Sequence, residues 1–331
     1  MNKNSTKINL GLAGAGYWGK NLIRVFWQLG VLKTVCDLDE KRLNEVKKNY
    51  PGLKTTKDFR EILENKEIKG VVISTSAVTH YELAKKALAA GKDVFVEKPL
   101  ALNLEEGEEL VRLAEEKNLI LMVGHLLNYH PAIVELKKIV KGGQLGKILH
   151  IYSHRLNFGR LRKEENVLWS FAPHDISLIL NFLGEMPKEI RTIGHSYLQK
   201  NIPDITLSHY KFPNHSTAHI MVNWLNPIKE QRLVIIGTKK MAVFDDQARD
   251  KLVIFSHTII WQNGAPVANK KEGKIISFPD KEPLLEEAKH FLDCLSDRKT
   301  PKTDGKEALR VLKVLFLSQK SLEENGNLKK L

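Results

Sequence analysis

The sequence predicts an α/β chain, with a parallel sheet flanked by helices on both faces in residues 1–124 and a second domain in residues 125–331. Three observations carry this. Short apolar runs of strand length alternate with helical periodicities from Ile8 to Val123. A glycine-rich turn stands between the first strand and the first helix. After Gly124 the strict alternation gives way to a different pattern.

Ile8 to Ala13 reads as the first strand and Lys20 to Leu29 as the first helix. Between them lie Gly14, Ala15, Gly16, Tyr17, Trp18 and Gly19, a G-x-G-x-x-G in its required setting. Gly14 permits the tight turn, Gly16 lets the backbone approach a pyrophosphate, and Gly19 lets helix and strand pack closely. Free N–H groups at the helix start then face phosphates. Val31 to Cys36 is the second strand, closed by Asp37, eighteen positions past Gly19. An acid there binds a ribose 2′-hydroxyl and repels a 2′-phosphate, so NAD is favoured over NADP. The alternative is a helix cap, for which Asp39 is the better placed acid. Lys41 and Arg42 soften the discrimination.

Asp58 and Glu61, then Thr79 and Glu82, have capping-box spacing and open two more helices, the second running to Ala90. Gly70 to Ser74 is a strand, with Thr75 to His80 as the loop at its carboxyl end. Val94-Phe95-Val96 is a buried strand that ends on Glu97-Lys98-Pro99, since proline cannot extend a central strand. A lysine there points into the crevice beyond the strand ends, or is simply solvated. Asn103 to Lys117 is a helix and Leu119 to Val123 a strand.

In the second half, Pro131 to Lys141 is a helix stopped by Gly142-Gly143, and Lys147 to Leu156 alternates like a strand. Trp169 to His174 reads as a loop, with Pro173 in the first turn of a helix that ends at Leu183-Gly184. His174 at a helix start would be held neutral by the dipole, as a general base requires; the alternative is a structural cap. Met221 to Trp224 and Val234 to Gly237 belong to a sheet, and about Glu307 to Glu323 is an amphipathic last helix.

The 331 residues suffice for two domains. Lys and Arg number 52 against 39 acids, a net +13, but the basic residues are interspersed with acids on helices, which speaks against nucleic acid. A phosphate-bearing small molecule fits the charge as well. No run of about eighteen apolar residues exists, so no membrane span is expected. The N-terminus lacks the pattern of a signal peptide, and Cys36 and Cys294 lie far apart, so a reduced, cytoplasmic setting is expected. No metal site is expected: His195, His209, His215 and His219 have no ligand spacing.

The ordered set Gly14 to Gly19, Thr75 to His80, Glu97-Lys98-Pro99, Val123-Gly124-His125, Pro173-His174-Asp175 and the helix Glu286 to Leu295 resembles the Gfo/Idh/MocA family over nearly the whole chain. Gly16 to Asn21 with Arg155-Leu156-Asn157 is similar to the branch acting on UDP-N-acetylglucosamine-derived uronates. The resemblance implies an N-terminal Rossmann domain and a C-terminal α+β domain with an open, mostly antiparallel sheet, assembled as a homodimer or homotetramer. It implies an NAD(P)-dependent dehydrogenase of a sugar hydroxyl, with Lys98 and His174 as catalytic residues. It extends the cofactor set to Ser74, Thr75, Thr79, His80, Glu97 and Lys98. For the substrate it points to Lys98, Ser170 and His174, and C3 of a nucleotide-linked sugar is the first expectation.

His125 and Asn128 follow the last strand of the first domain and contact ribose or substrate, or line a domain seam. Arg155, Asn157, Arg160 and Arg162 bind a diphosphate or carboxylate, or form a solvated basic loop. Ser170 stands where many members of the family carry an acid four residues before the histidine, so charge support for His174 is missing. The rival readings are a free-polyol or inositol dehydrogenase, a keto-sugar reductase, and a dinucleotide-binding sensor without chemistry.

Overall fold

The computed structural model describes residues 8–159 and 161–331. It divides into two compact units, and the division is not a single cut after Gly124. One unit holds the described residues up to Tyr129 together with Glu282–Leu312; the other holds His130–Lys281 and Lys313–Leu331.

The first unit contains β1 (Asn9–Ala13), α1 (Gly19–Gln28), β2 (Leu32–Cys36), α2 (Glu40–Asn49), β3 (Lys54–Thr56), α3 (Arg60–Glu64), β4 (Ile68–Ile73), α4 (His80–Ala89), β5 (Asp93–Glu97), α5 (Leu104–Glu116) and β6 (Leu121–Gly124). The six strands form one sheet in the order β3-β2-β1-β4-β5-β6. Every pairing in it is parallel. The order reverses between β1 and β4, which makes their carboxyl ends the crevice of the sheet. Apolar runs formed these strands because both faces are covered. Val94 and Val96 join one core cluster with Val71, Ile73, Ala84 and Leu110. Phe95 joins the other, with Leu10, Leu12, Phe26 and Met122.

The second unit contains α6 (Pro131–Lys141), β7 (Ile148–Phe158), α7 (Val167–Leu183), β8 (Glu189–His195), β9 (Ile205–Lys211), β10 (Thr217–Asn223), β11 (Leu225–Gly237), β12 (Met241–Asp245), β13 (Leu252–Phe255), β14 (Thr258–Gln262), β15 (Ala265–Asn269) and β16 (Gly273–Ile275). There follow α8 (Pro283–Asp297), α9 (Gly305–Glu323) and β17 (Lys329–Lys330). A nine-stranded sheet runs β16-β13-β12-β11-β7-β10-β9-β8-β17. It is antiparallel except where β10 lies parallel to β7. Helix α7 covers one face of it, and β14 with β15 forms a separate hairpin.

Helix α8 belongs to the first unit, although it follows the second in sequence. Leu284, Ala288, Phe291, Cys294 and Leu295 enter the core cluster of Phe95, and the Phe291 ring meets Phe95 edge-on at 5.7 Å. Buried aromatic area of this kind outweighs proximity in sequence.

The loop read over Trp169 to His174 is helix. α7 starts at the Asn166 cap, whose side chain accepts from the Trp169 N–H at 3.2 Å, and continues past Pro173 to Gly184 in left-handed conformation. His174 therefore lies mid-helix, and the dipole argument for its neutrality does not apply. Thr79 gives no side-chain cap to α4, so its capping box is not formed; its hydroxyl donates to the Ser76 carbonyl. No helix among the described residues is long and apolar enough to cross a membrane.

Candidate active site

In the first unit, the glycine turn packs against the end of β4. Gly14 has φ +99°, and a Cβ there would sit 2.7 Å from the Ser74 carbonyl. A Cβ on Gly19 would fall 2.0 Å from the Gly14 oxygen, so both positions require glycine. Gly16 differs: a Cβ would meet only Arg42 Nη1, at 3.7 Å. Among the described residues its bareness serves no packing, and it leaves room for a ligand. Helix α1 has no side-chain cap and no acid in its first turn. Its leading N–H groups suit an anion such as a pyrophosphate. These features fit a dinucleotide.

Asp37 does more than the sequence suggested. Its Oδ2 accepts from the Ala15 N–H at 2.7 Å and its Oδ1 from the Asp39 N–H at 2.9 Å. Asp39 caps α2, as expected. Arg42 lies 3.5 Å from Asp37 and 3.3 Å from Asp39, so its guanidinium is held by acids. Ser74 donates to the Gly14 carbonyl at 2.8 Å. Tyr17 is exposed.

His80 was expected to meet the cofactor. It is buried, with Nδ1 2.8 Å from the Pro99 carbonyl and Nε2 3.3 Å from the Thr75 carbonyl. A neutral imidazole has one N–H to donate, and the nearer acceptor is the Pro99 carbonyl, so the buried ring braces the loops after β4 and β5. Burial pushes its pKa down. Thr79 Oγ1 lies 2.7 Å from Thr75 Oγ1.

Glu97 ends β5. Its Oε1 accepts from the Trp18 indole N–H at 2.6 Å, and its carboxylate also accepts from the Lys98 backbone N–H. Burial raises its pKa to about 7, against the opposing pull of Trp18 and Lys98. A Cβ on Gly124, its neighbour across β6, would lie 2.9 Å from that carboxyl. Lys98 thus leaves the sheet on a turn whose main chain is held. His125 is buried, with Nδ1 2.7 Å from Glu307, and the Asn128 amide donates to the His125 carbonyl at 3.3 Å.

Two acids here escaped the sequence reading: Glu287 on α8 and Glu307 on α9. A signal for Glu287 existed. Leu284, Ala288, Phe291 and Leu295 mark the buried stripe of α8, and Glu287 stands on it, three residues after Leu284.

In the second unit, Arg155 turns inward. Its Nε and Nη2 donate to Asp175 Oδ2 and Oδ1 at 2.8 and 3.0 Å, and Ser153 donates to Oδ1 at 2.7 Å. Arg155 was expected to bind a diphosphate or carboxylate, or to belong to a solvated basic loop; in the structure its fork holds the buried Asp175 carboxylate. Asn157 lies two residues along β7, on the same face. Arg162 pairs with Glu165 at 3.3 Å, and Arg160 lies outside the described residues. Ser170 and His174 sit one turn apart on one face of α7.

His209, His219 and His150 form a chain across three strands, with nitrogens 2.9 and 3.1 Å apart. Burial lowers all three pKa values. Among the described residues no group of three His, Cys, Asp or Glu side chains is arranged to hold a metal ion.

Comparison with known proteins agrees with the dinucleotide geometry. The chain is 24% identical to UDP-N-acetylglucosamine 3-dehydrogenase of Acidithiobacillus ferrooxidans, over 92% of this chain and 94% of that protein. It is 25% identical to myo-inositol 2-dehydrogenase of Thermotoga maritima, over 90% and 91%. Similarity also reaches a 2,7-anhydro-N-acetylneuraminate hydratase of Escherichia coli, 25% identical over 72% and 68%. The solved structure of the Acidithiobacillus enzyme shares the fold with a TM-score of 0.85, 22% identity, and coverage of 96% of this chain and 98% of that one. Residues 8–125 match the oxidoreductase family with an NAD-binding Rossmann fold, and residues 133–243 match the GFO/IDH/MocA C-terminal domain. With both halves matched in order, the chain belongs to the Gfo/Idh/MocA oxidoreductase family.

Proposed function

We propose that the protein is an NAD-dependent dehydrogenase that oxidises a ring hydroxyl of a sugar, with a nucleotide-linked N-acetyl-aminosugar and its C3 as the first substrate class to test. The observation that carries this reading is Lys98, set on a held turn at the carboxyl end of β5 in a family NAD-binding unit. Likeness to UDP-N-acetylglucosamine 3-dehydrogenase along 92% of the chain supports the substrate class.

The glycine turn Gly14 to Gly19 would hold the pyrophosphate of NAD, and Asp37 would keep lone pairs for the ribose. NAD, when bound, supplies the hydride acceptor. Lys98 would donate a hydrogen bond to the reacting hydroxyl and stabilise negative charge as it develops on that oxygen. His174 would take the hydroxyl proton. On this chain the residue one helical turn before it is Ser170, whose hydroxyl can hydrogen-bond but carries no charge.

One observation favours a second reading, a free polyol of the inositol type. With Arg155 engaged by Asp175 and Arg162 by Glu165, the β7 region offers less cation for a diphosphate than its composition implied. The deciding experiment starts with the absorbance spectrum and mass analysis of purified protein for bound cofactor. UDP-N-acetylglucosamine, its uronate and myo-inositol are then added separately while NADH absorbance is followed. A rise with the UDP-sugars alone supports the first reading, a rise with inositol alone transfers it to the second, and silence with all three overturns both.

A further inference from the structure

We propose that Glu97 and Glu287 work as one carboxyl pair behind the Lys98 turn, in which Glu287 is the neutral, protonated member and Glu97 is the carboxylate that positions Lys98.

Geometry divides the two acids. Glu97 accepts from two fixed donors, the Trp18 indole and the Lys98 backbone N–H. Glu287 is 0% exposed, and neither of its carboxyl oxygens has a hydrogen-bond partner among the described residues. A buried carboxylate with no donor is far more costly than a buried carboxylic acid. Its neighbours on α8, Leu284, Ala288 and Phe291, supply none. The charged and titratable groups that bear on the pair are Lys98 and His125 on Glu97, and Glu97 and Tyr129 on Glu287. Burial, with the negative charge of Glu97 second, raises the Glu287 pKa well above the usual carboxyl range. Two nearby carboxyls in one low-dielectric site cannot both ionise cheaply, so the proton stays on the acid that lacks donors.

The consequence is a fixed charge count. With Glu287 neutral, the pair carries a single negative charge, and that charge titrates as Glu97 does. Glu97 thus holds the main chain of Lys98 while setting the local potential where the nicotinamide reacts. This last step rests on the proposed role of Lys98. An oxidised nicotinamide is cationic and a reduced one is not, so ionised Glu97 favours NAD⁺ over NADH.

The test uses the full-length protein and needs no sugar substrate. Infrared spectra of the NAD-loaded protein at about pH 8 should show the carbonyl band of a protonated carboxylic acid, lost in Glu287→Gln. The preference for NAD⁺ over NADH, measured by fluorescence titration and competition, should rise about tenfold between about pH 6 and pH 8. Glu97→Gln should abolish that rise, and Glu287→Gln should preserve it. Absence of the acid band in the wild-type protein, or its retention in Glu287→Gln, overturns the pair. A preserved band with a cofactor preference that ignores pH overturns the placement of Lys98 beside the nicotinamide.

Discussion

Trp18 and Glu97 stand 79 positions apart and meet through a 2.6 Å hydrogen bond from the indole N–H to the carboxylate. This bond ties the glycine turn after β1 to the end of β5, across β4. Trp18→Phe removes the donor and keeps most of the ring. A hydrogen bond to a charged group contributes about 1.5–3 kcal/mol. Urea denaturation of the variant should show a loss in that range. The Glu97 pKa should rise further, because Trp18 opposes the upward push of burial.

Lys98→Ala should lower turnover about a hundredfold to ten-thousandfold, the span usual for a matched catalytic group. NAD affinity should stay within a fewfold, because Gly14 to Gly19 and Asp37 are untouched. Steady-state rates beside a fluorescence titration of NADH separate the two effects. Unchanged turnover would remove Lys98 from the mechanism.

Much of the first unit was legible because its strands are buried on both faces. Val94-Phe95-Val96 reads as apolar throughout for that reason, and the glycine turn declared its neighbours. The edge strand β3 was missed: Lys54–Thr56 is three residues long and half solvated, too short for any periodicity. The start of α7 was hidden by Pro173, which normally opens a helix and here sits inside one. Asn166 was the better signal, a capping residue ahead of an apolar run. The site was legible where chemistry follows local order, as at Glu97-Lys98-Pro99. It was illegible where a long-range partner decides, as for Arg155 with Asp175 or Glu97 with Trp18. An arginine on an alternating strand looks the same whether it faces a ligand or a buried acid.

Asp175→Asn tests the reassignment of Arg155. The pair is bidentate and Asp175 is 1% exposed, so the substitution leaves a guanidinium without its counter-charge in the second unit. Breaking a buried pair by removing one partner costs about 3–5 kcal/mol. Chemical denaturation should show that loss. An Arg155 that served substrate instead would give a raised KM at nearly unchanged stability.

Ser170→Asp places an acid one helical turn before His174. The two positions share a face of α7, and a carboxylate there favours the protonated imidazole. Oxidation needs His174 neutral. The acid limb of the kcat/KM profile should therefore move to higher pH, by about one unit. Above the limb the variant should match or exceed the wild-type rate, since the same anion stabilises the imidazolium formed as the hydroxyl proton is taken. Below it the variant should fall behind. Ser170→Ala provides the control: it supplies no charge, and the limb should stay near its wild-type position. A limb that ignores the charge at residue 170 would show that His174 is not the titrating base and would pass the proton to Lys98.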